Sequence, residues 1–344
     1  MFFKTMQKRI LIVNVNWLGD VLMSTASIRA IKKAYPESYL ACMVPKRCVE
    51  VLSGNPNLDE IIVFDEKDTH KWLSAQIRFI RELKKKKFDI AFLFHRSFTR
   101  ALIPFLAGIP ERIGYCTKKR GMLLTRKIAL PEDDIHRLDY YLNIPESYGV
   151  KSDGRYYEFF ISDNDREFIN NKLKELGIKQ DDFVVVINPG GNWAPKRWPK
   201  ENFARLSDKL INELGARIII SGADKDVELA NEISSLMKQK PIILAGATNL
   251  KQLGALMEAV DLVISADSGP MHIAAAMGTD LIALFGPTKA ALTSPLGKGK
   301  IAIIQMEVGC EIPCYKVNCK DSRCMKAISP DYVFKEARKF REDI

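Results

Sequence analysis

Ser265-Ala266-Asp267-Ser268-Gly269-Pro270-Met271-His272-Ile273-Ala274-Ala275-Ala276 follows directly on an apolar run that starts at Asp261. Its order predicts a buried strand, a small polar turn and an Ala-rich helix. Such a turn exposes backbone N–H groups and the helix start adds its partial positive charge, so the stretch reads as an anion site. A few residues on, Leu281-Ile282-Ala283-Leu284-Phe285 predicts a second buried strand, ending in Gly286-Pro287-Thr288. Two strand ends are then expected to face one crevice, where an open α/β sheet places a nucleotide.

Outward from this stretch the same alternation repeats. Toward the N-terminus of the chain come a predicted strand from Phe183 to Asn188 and helix from Asn202 to Leu214, then a strand from Arg217 to Ser221 and helix from Asp226 to Met237. A strand from Pro241 to Leu244 and a helix from Leu250 to Ala259 complete that series. An earlier series opens with the apolar run after Arg9, a turn at Asn16-Trp17-Leu18-Gly19-Asp20, and a helix carrying Val21, Leu22, Ala26, Ile28 and Ile31. Strands at Tyr39 to Val44, Glu60 to Phe64 and Asp89 to Phe94 follow, with an amphipathic helix from Trp72 to Lys87. Between the series lies linker-like composition around a helix from Ser162 to Leu176. Two alternating series predict an α/β chain of two doubly wound parallel-sheet domains, 1–160 and 161–329, plus a C-terminal helical segment, 330–344, that packs on either.

The 344 residues suffice for two such cores. No apolar run approaches the roughly 20 residues of a membrane span, and Met1 to Arg9 lacks a signal-peptide core, so a cytosolic chain is expected. The net charge of +10 is uneven: residues 1–160 hold 27 Lys and Arg against 18 Asp and Glu, whereas 161–344 hold 25 against 24. The basic half should face an anionic partner, either a phosphorylated molecule or an anionic membrane surface. Lys84-Lys85-Lys86-Lys87 alone reads as a solvated helix end. The wider spread of Arg96, Arg100, Arg112, Lys118, Lys119, Arg120, Arg126 and Lys127 favours the partner. A nucleic-acid partner is not expected, because no binding module and no aromatic interleaving accompany the charge.

Of seven cysteines, Cys42, Cys48 and Cys116 read as small core residues. Cys310, Cys314, Cys319 and Cys324 cluster with spacings looser than paired CxxC zinc motifs, which leaves zinc, structural thiols and a redox-sensitive loop open.

Neither GxGxxG after the first strand nor GxxxxGK[ST] anywhere is present, against a dinucleotide oxidoreductase and a P-loop nucleotidase. In their place stands Asn188-Pro189-Gly190-Gly191-Asn192-Trp193-Ala194-Pro195-Lys196-Arg197-Trp198-Pro199. Gly190 and Gly191 let a ligand approach the backbone, and Lys196 with Arg197 can neutralise a diphosphate. Asp20, beside Gly19, is either a carboxylate aimed into a crevice or a helix-start residue favoured by the dipole. His95, Arg96, Ser97 and Arg100 follow a strand and suit acceptor phosphates or carboxylates, or ordinary loop chemistry.

These residues, in this order, resemble the ADP-heptose:lipopolysaccharide heptosyltransferases of glycosyltransferase family 9. The resemblance runs through Trp17 to Asp20, Ser97 to Pro110, Pro189 to Pro199, Ser265 to Ala276 and Phe285 to Thr288, and extends to the Cys310–Cys324 cluster. It implies a GT-B architecture of two Rossmann-like domains facing a central cleft, the N-terminal one binding acceptor and the C-terminal one nucleotide sugar. It implies Asp20 as general base for an inverting transfer of L-glycero-D-manno-heptose from ADP-heptose to the inner core of lipopolysaccharide. Lys196 would stabilise the leaving diphosphate, Asp267 would hold sugar hydroxyls, and Ser268 and Gly269 would cradle phosphate; His272 and Asp226 fall near donor-binding positions. His272 is equally compatible with a capping or core histidine. No cofactor and no metal are implied, and the acceptor would be a phosphorylated, lipid-linked saccharide reached at the cytoplasmic membrane face. A different nucleotide-sugar donor, a different acceptor, or a non-catalytic sugar-nucleotide-binding protein are the alternatives.

Overall fold

The computed structural model describes residues 7–117, 119–316 and 318–342. Lys118, the start of the N-terminal stretch and the last two residues of the C-terminal segment lie outside them. The chain divides into two compact units with the boundary between Phe160 and Ile161.

The N-terminal unit is built on β1 (Arg9–Val13), β2 (Tyr39–Val44), β3 (Glu60–Val63), β4 (Ile90–Leu93), β5 (Glu111–Tyr115) and β6 (Arg126–Ile128). Its helices are α1 (Leu18–Met23), α2 (Thr25–Ala34), α3 (Val49–Leu52), α4 (Leu73–Lys85), α5 (Phe98–Leu106) and α6 (Arg137–Glu146). All strand pairs are parallel, in the order β3-β2-β1-β4-β5-β6. The β1 run Ile10 to Val13 is wholly buried, as a strand covered by helices on both faces requires. The single helix expected after β1 is two: Ser24 Oγ donates to Val21 O and Thr25 Oγ1 to Leu22 O, each at 2.7 Å. Such back-bonding bends a helix, here one turn after Asp20. The linker-like residues after Val150 have no regular structure but are fixed: Arg29 donates to the carbonyls of Asp153, Gly154 and Tyr156 and pairs with Glu158 at 3.0 Å.

The C-terminal unit repeats the plan with β7 (Val184–Asn188), β8 (Arg217–Ile220), β9 (Ile242–Ile243), β10 (Leu262–Ala266), β11 (Asp280–Phe285) and β12 (Ile301–Gln305). Its helices are α7 (Asp163–Glu175), α8 (Lys200–Leu214), α9 (Val227–Leu236), α10 (Leu250–Glu258), α11 (Gly269–Met277), α12 (Ala290–Thr293), α13 (Arg323–Lys326) and α14 (Pro330–Glu342). The sheet runs β12-β11-β10-β7-β8-β9, again all parallel. The sequence did not decide where the last helix packs; α14 lies on α8 and β11 and puts Val333, Phe334, Ala337 and Phe340 into this unit's core.

Both sheets therefore run outward in two directions from a central pair, β1 beside β4 and β7 beside β10. At such a switch point the connections leave to opposite sides, which opens a crevice at the carboxyl ends of the two strands. Val13 is level with Leu93, and Asn188 with Ser265, so each pair of loops starts at the same height.

Candidate active site

In the N-terminal unit, the β1 and β4 loops carry Asp20 and the segment His95 to Arg100. Asp20 is the third residue of α1, and its Oδ1 accepts a 2.7 Å hydrogen bond from the Tyr141 hydroxyl on α6. Burial, and then the charge of Asp20, push the Tyr141 phenol well above its ordinary value, so its proton stays in place and it remains the donor. His95 Nδ1 accepts from the Ser97 N–H at 3.1 Å, and its Nε2 lies 3.1 Å from the Asn16 amide. Burial and then the guanidinium groups of Arg100, Arg120 and Arg96 press His95 down to about 4, so it is neutral at physiological pH.

The three expected acceptor residues divide. Arg96 is exposed, 5.7 Å above the Tyr140 ring. The Ser97 hydroxyl caps α5 by accepting from the Arg100 N–H at 3.2 Å. Arg100 is 2 % exposed and committed inward, pairing with Glu66 at 3.3 Å and donating to Asn16 Oδ1 at 3.4 Å. Beside Asp20 the surface instead offers Trp17, with the Arg47 guanidinium 5.2 Å over its ring.

In the C-terminal unit, the β7 and β10 loops bring together most of the expected donor residues. Lys196 Nζ lies 2.7 Å from Asp267 Oδ2, and the Thr288 hydroxyl donates to the same oxygen at 2.6 Å. Asp267 is only 8 % exposed, so its carboxylate is held by these charge-assisted bonds. Ser268 is the N-cap of α11 in extended backbone, its own hydroxyl near Ser265 Oγ (3.3 Å) rather than on the helix. The helix-start N–H groups from Gly269 onward thus carry no Ser268 side-chain cap. His272, 3 % exposed, is enclosed in the first turn of α11.

The glycine loop after β7 divides residue by residue. A Cβ on Gly190 would meet the Asp226 carboxylate at 2.6 Å, whereas one on Gly191 would meet nothing within 4 Å. Asp226 accepts from the Ala223 N–H at 3.1 Å, which sets its carboxylate against the loop. Arg197 donates to the Gly191 carbonyl from Nε (3.0 Å) and from its terminal nitrogen (2.7 Å), so its guanidinium fixes the loop and Lys196 is the loop's more available cation.

A profile of glycosyltransferase family 9 (heptosyltransferase) matches residues 76–323. The chain belongs to this family. Lipopolysaccharide heptosyltransferase 2 of Salmonella typhimurium is 30 % identical over 314 residues, 88 % of this chain and 89 % of that one. Among solved structures, a family-9 glycosyl transferase from Veillonella parvula superposes with a TM-score of 0.89 at 27 % identity, covering 98 % of both chains. The ADP-heptose lipopolysaccharide heptosyltransferase II of E. coli gives 0.80 at 26 % identity, covering 97 % of this chain and 99 % of that one. As a family-9 member the chain is a glycosyltransferase, and its two doubly wound sheets are the GT-B architecture.

Two site residues of this family-9 chain were beyond sequence reasoning. Tyr141 lies 121 residues from Asp20, with no motif to join them. Thr288 stood inside a quoted turn, yet only the parallel pairing of β10 with β11 brings it to Asp267.

All seven cysteines are free thiols. Cys42 and Cys48 are buried as expected, but Cys116, one residue past the end of β5, is exposed. Cys310, Cys314, Cys319 and Cys324 line one cavity of about 40 Å³ with Pro195 and Pro287. Among the described residues no three His, Cys, Asp or Glu side chains stand at metal-binding spacing.

Proposed function

We propose that the protein transfers L-glycero-D-manno-heptose from ADP-heptose to the inner core of lipopolysaccharide, with inversion at the anomeric carbon. The observation that carries this reading is the Lys196–Asp267–Thr288 cluster at the start of α11, at the switch point of the C-terminal sheet. An ammonium has three donors, so Lys196 can keep Asp267 and still meet a diphosphate oxygen. Asp267 accepts from sugar hydroxyls, and the α11 N–H groups at Ser268 and Gly269 face phosphate. Asp226 and the Gly190–Gly191 loop suit the rest of the nucleotide. His272 supports α11 from within, and Arg197 supports the loop.

In the reaction the acceptor hydroxyl oxygen forms a bond to the anomeric carbon as the bond to the diphosphate oxygen breaks. The electron pair leaves with ADP, and Asp20 takes the hydroxyl proton. Lys196 and the helix-start N–H groups neutralise the charge that grows on the leaving group. Tyr141 donates to Oδ1 of Asp20 and so orients the carboxylate. The +9 balance of residues 1–160, with Arg96 and Arg47 at the surface, suits a phosphorylated acceptor. That acceptor is lipid-linked, and the enzyme meets it at the cytoplasmic face of the membrane. Among the described residues no helix is long and apolar enough to cross a membrane.

The test is donor turnover. Purified protein given a heptose-deficient core acceptor should release ADP from ADP-heptose and add one heptose by mass. Release only from another nucleotide sugar would move the protein to a different donor, and binding without turnover of any would make it a sensor.

A further inference from the structure

Seven of the fifteen large hydrophobic side chains exposed among the described residues sit on three short segments of the N-terminal unit. Trp72 and Leu73, each 71 % exposed, open α4, and Ile77 follows one turn on. Phe98, Phe105 and Leu106 are exposed on α5, and Met122, 75 % exposed, is in the turn from Gly121 to Leu123. These are neighbours in space, since α5 packs beside α4 and beside that turn. Leu73 and Ile77 are four residues apart, and Phe98 and Phe105 seven, so each pair lies on one stripe of its helix. The inner faces are already used: Leu83 of α4 and Ala101 and Ile103 of α5 fill the core.

The charge on α4 is predominantly positive. Residues 71–87 hold seven Lys and Arg against the single acid Glu82, and Arg78, Arg81, Lys84 and Lys85 are exposed on α4. The Arg112 guanidinium lies 5.3 Å over the Phe105 ring, and Lys127, exposed on β6, lies beside Gly121. A second copy of this face would oppose like charges; Trp72, Phe98 and Phe105 offer rings to a base or a lipid, but Leu73, Ile77, Leu106 and Met122 beside them suit acyl chains rather than bases. Exposed Trp and Leu beside Lys and Arg on a surface helix match the boundary of an anionic bilayer.

We propose that the face formed by α4, α5 and the 121–123 turn docks on an anionic phospholipid bilayer. Trp72, Leu73 and Ile77 enter the headgroup boundary, and the α4 cations rest on lipid phosphates. This deepens the reading of a lipid-linked acceptor and rests on it.

The test is flotation of the full-length protein with vesicles of phosphatidylcholine alone or containing phosphatidylglycerol. Binding is expected to the anionic vesicles and to fall as salt is raised. The triple variant Trp72→Ser/Leu73→Ser/Ile77→Ser should lose about tenfold or more in vesicle affinity while turning over a delipidated core acceptor at the wild-type rate. The variant Arg81→Glu/Lys84→Glu should lose the preference for phosphatidylglycerol. Wild-type protein that floats with neither vesicle, variants that float as wild type does, or a wild-type dimer that the triple variant dissolves would each overturn the proposal. Vesicle binding without turnover of any nucleotide sugar would leave the docking face standing and remove the transferase reading instead.

Discussion

The two units share one strand order but load its switch point with different chemistry. After β7 and β10 come glycines, a capped-in carboxylate and a helix start, with Lys196 and Thr288 converging on Asp267. After β1 and β4 come Asp20 with a tyrosine donor, and a neutral His95 set among guanidinium groups. The first arrangement is closed down around one acid, Asp267. The second has Trp17 and two arginines, Arg47 and Arg96, at the surface. Topology therefore fixes where each site lies, while a few residues beyond each strand end decide what it does.

Asp20→Ala breaks the comparison most severely. With the base gone, transfer should fall by roughly 10²–10⁴-fold. ADP affinity, measured by calorimetry, should stay within about twofold of wild type, because every donor contact proposed belongs to the other unit. Unchanged transfer would take Asp20 out of its role, and lost ADP binding would end the division of labour between the units.

Gly190→Ala tests the donor loop. The new methyl collides with the Asp226 carboxylate at 2.6 Å, so either the loop or Asp226 must move and the Ala223 bond is strained. ADP affinity should drop about tenfold and the melting temperature by about 2–4 °C, as one hydrogen bond's worth of stability predicts. Gly191→Ala, with open protein space around it, should leave the melting temperature unchanged. Equal effects from the two substitutions would show that the loop senses flexibility rather than this contact.

The contrast between the units also explains what was legible beforehand. Buried parallel strands such as Ile10 to Val13 and Val184 to Asn188 are continuous apolar runs bounded by turn residues, so composition alone marks them. The strands β5, Glu-Arg-Ile-Gly-Tyr, and β6, Arg-Lys-Ile, carry charges because they lie toward the sheet edge, and nothing in their composition announces a strand. The places of Gly190, Lys196 and Asp267 beyond the strand ends were readable because they sit inside short motifs set by backbone geometry. Arg100 was harder: its motif gave its place but not that its guanidinium turns inward to Glu66 and Asn16. Partners of that kind are chosen by tertiary packing across dozens of residues, which periodicity cannot see.

Tyr141→Phe has the smallest expected effect and sharpens the comparison most finely, since it changes one oxygen. The phenol donates to Asp20 Oδ1 at 2.7 Å, and a hydrogen bond to a carboxylate favours its charged form. Removing it makes Asp20 easier to protonate. The acid limb of the kcat profile should therefore move to higher pH by up to about one pH unit, with the loss of kcat largest on that limb and smallest at alkaline pH. A merely structural tyrosine would lower the melting temperature and kcat at every pH alike. If the acid limb stays where it is in Tyr141→Phe, the tyrosine holds α6 against α1 and plays no part in orienting the base.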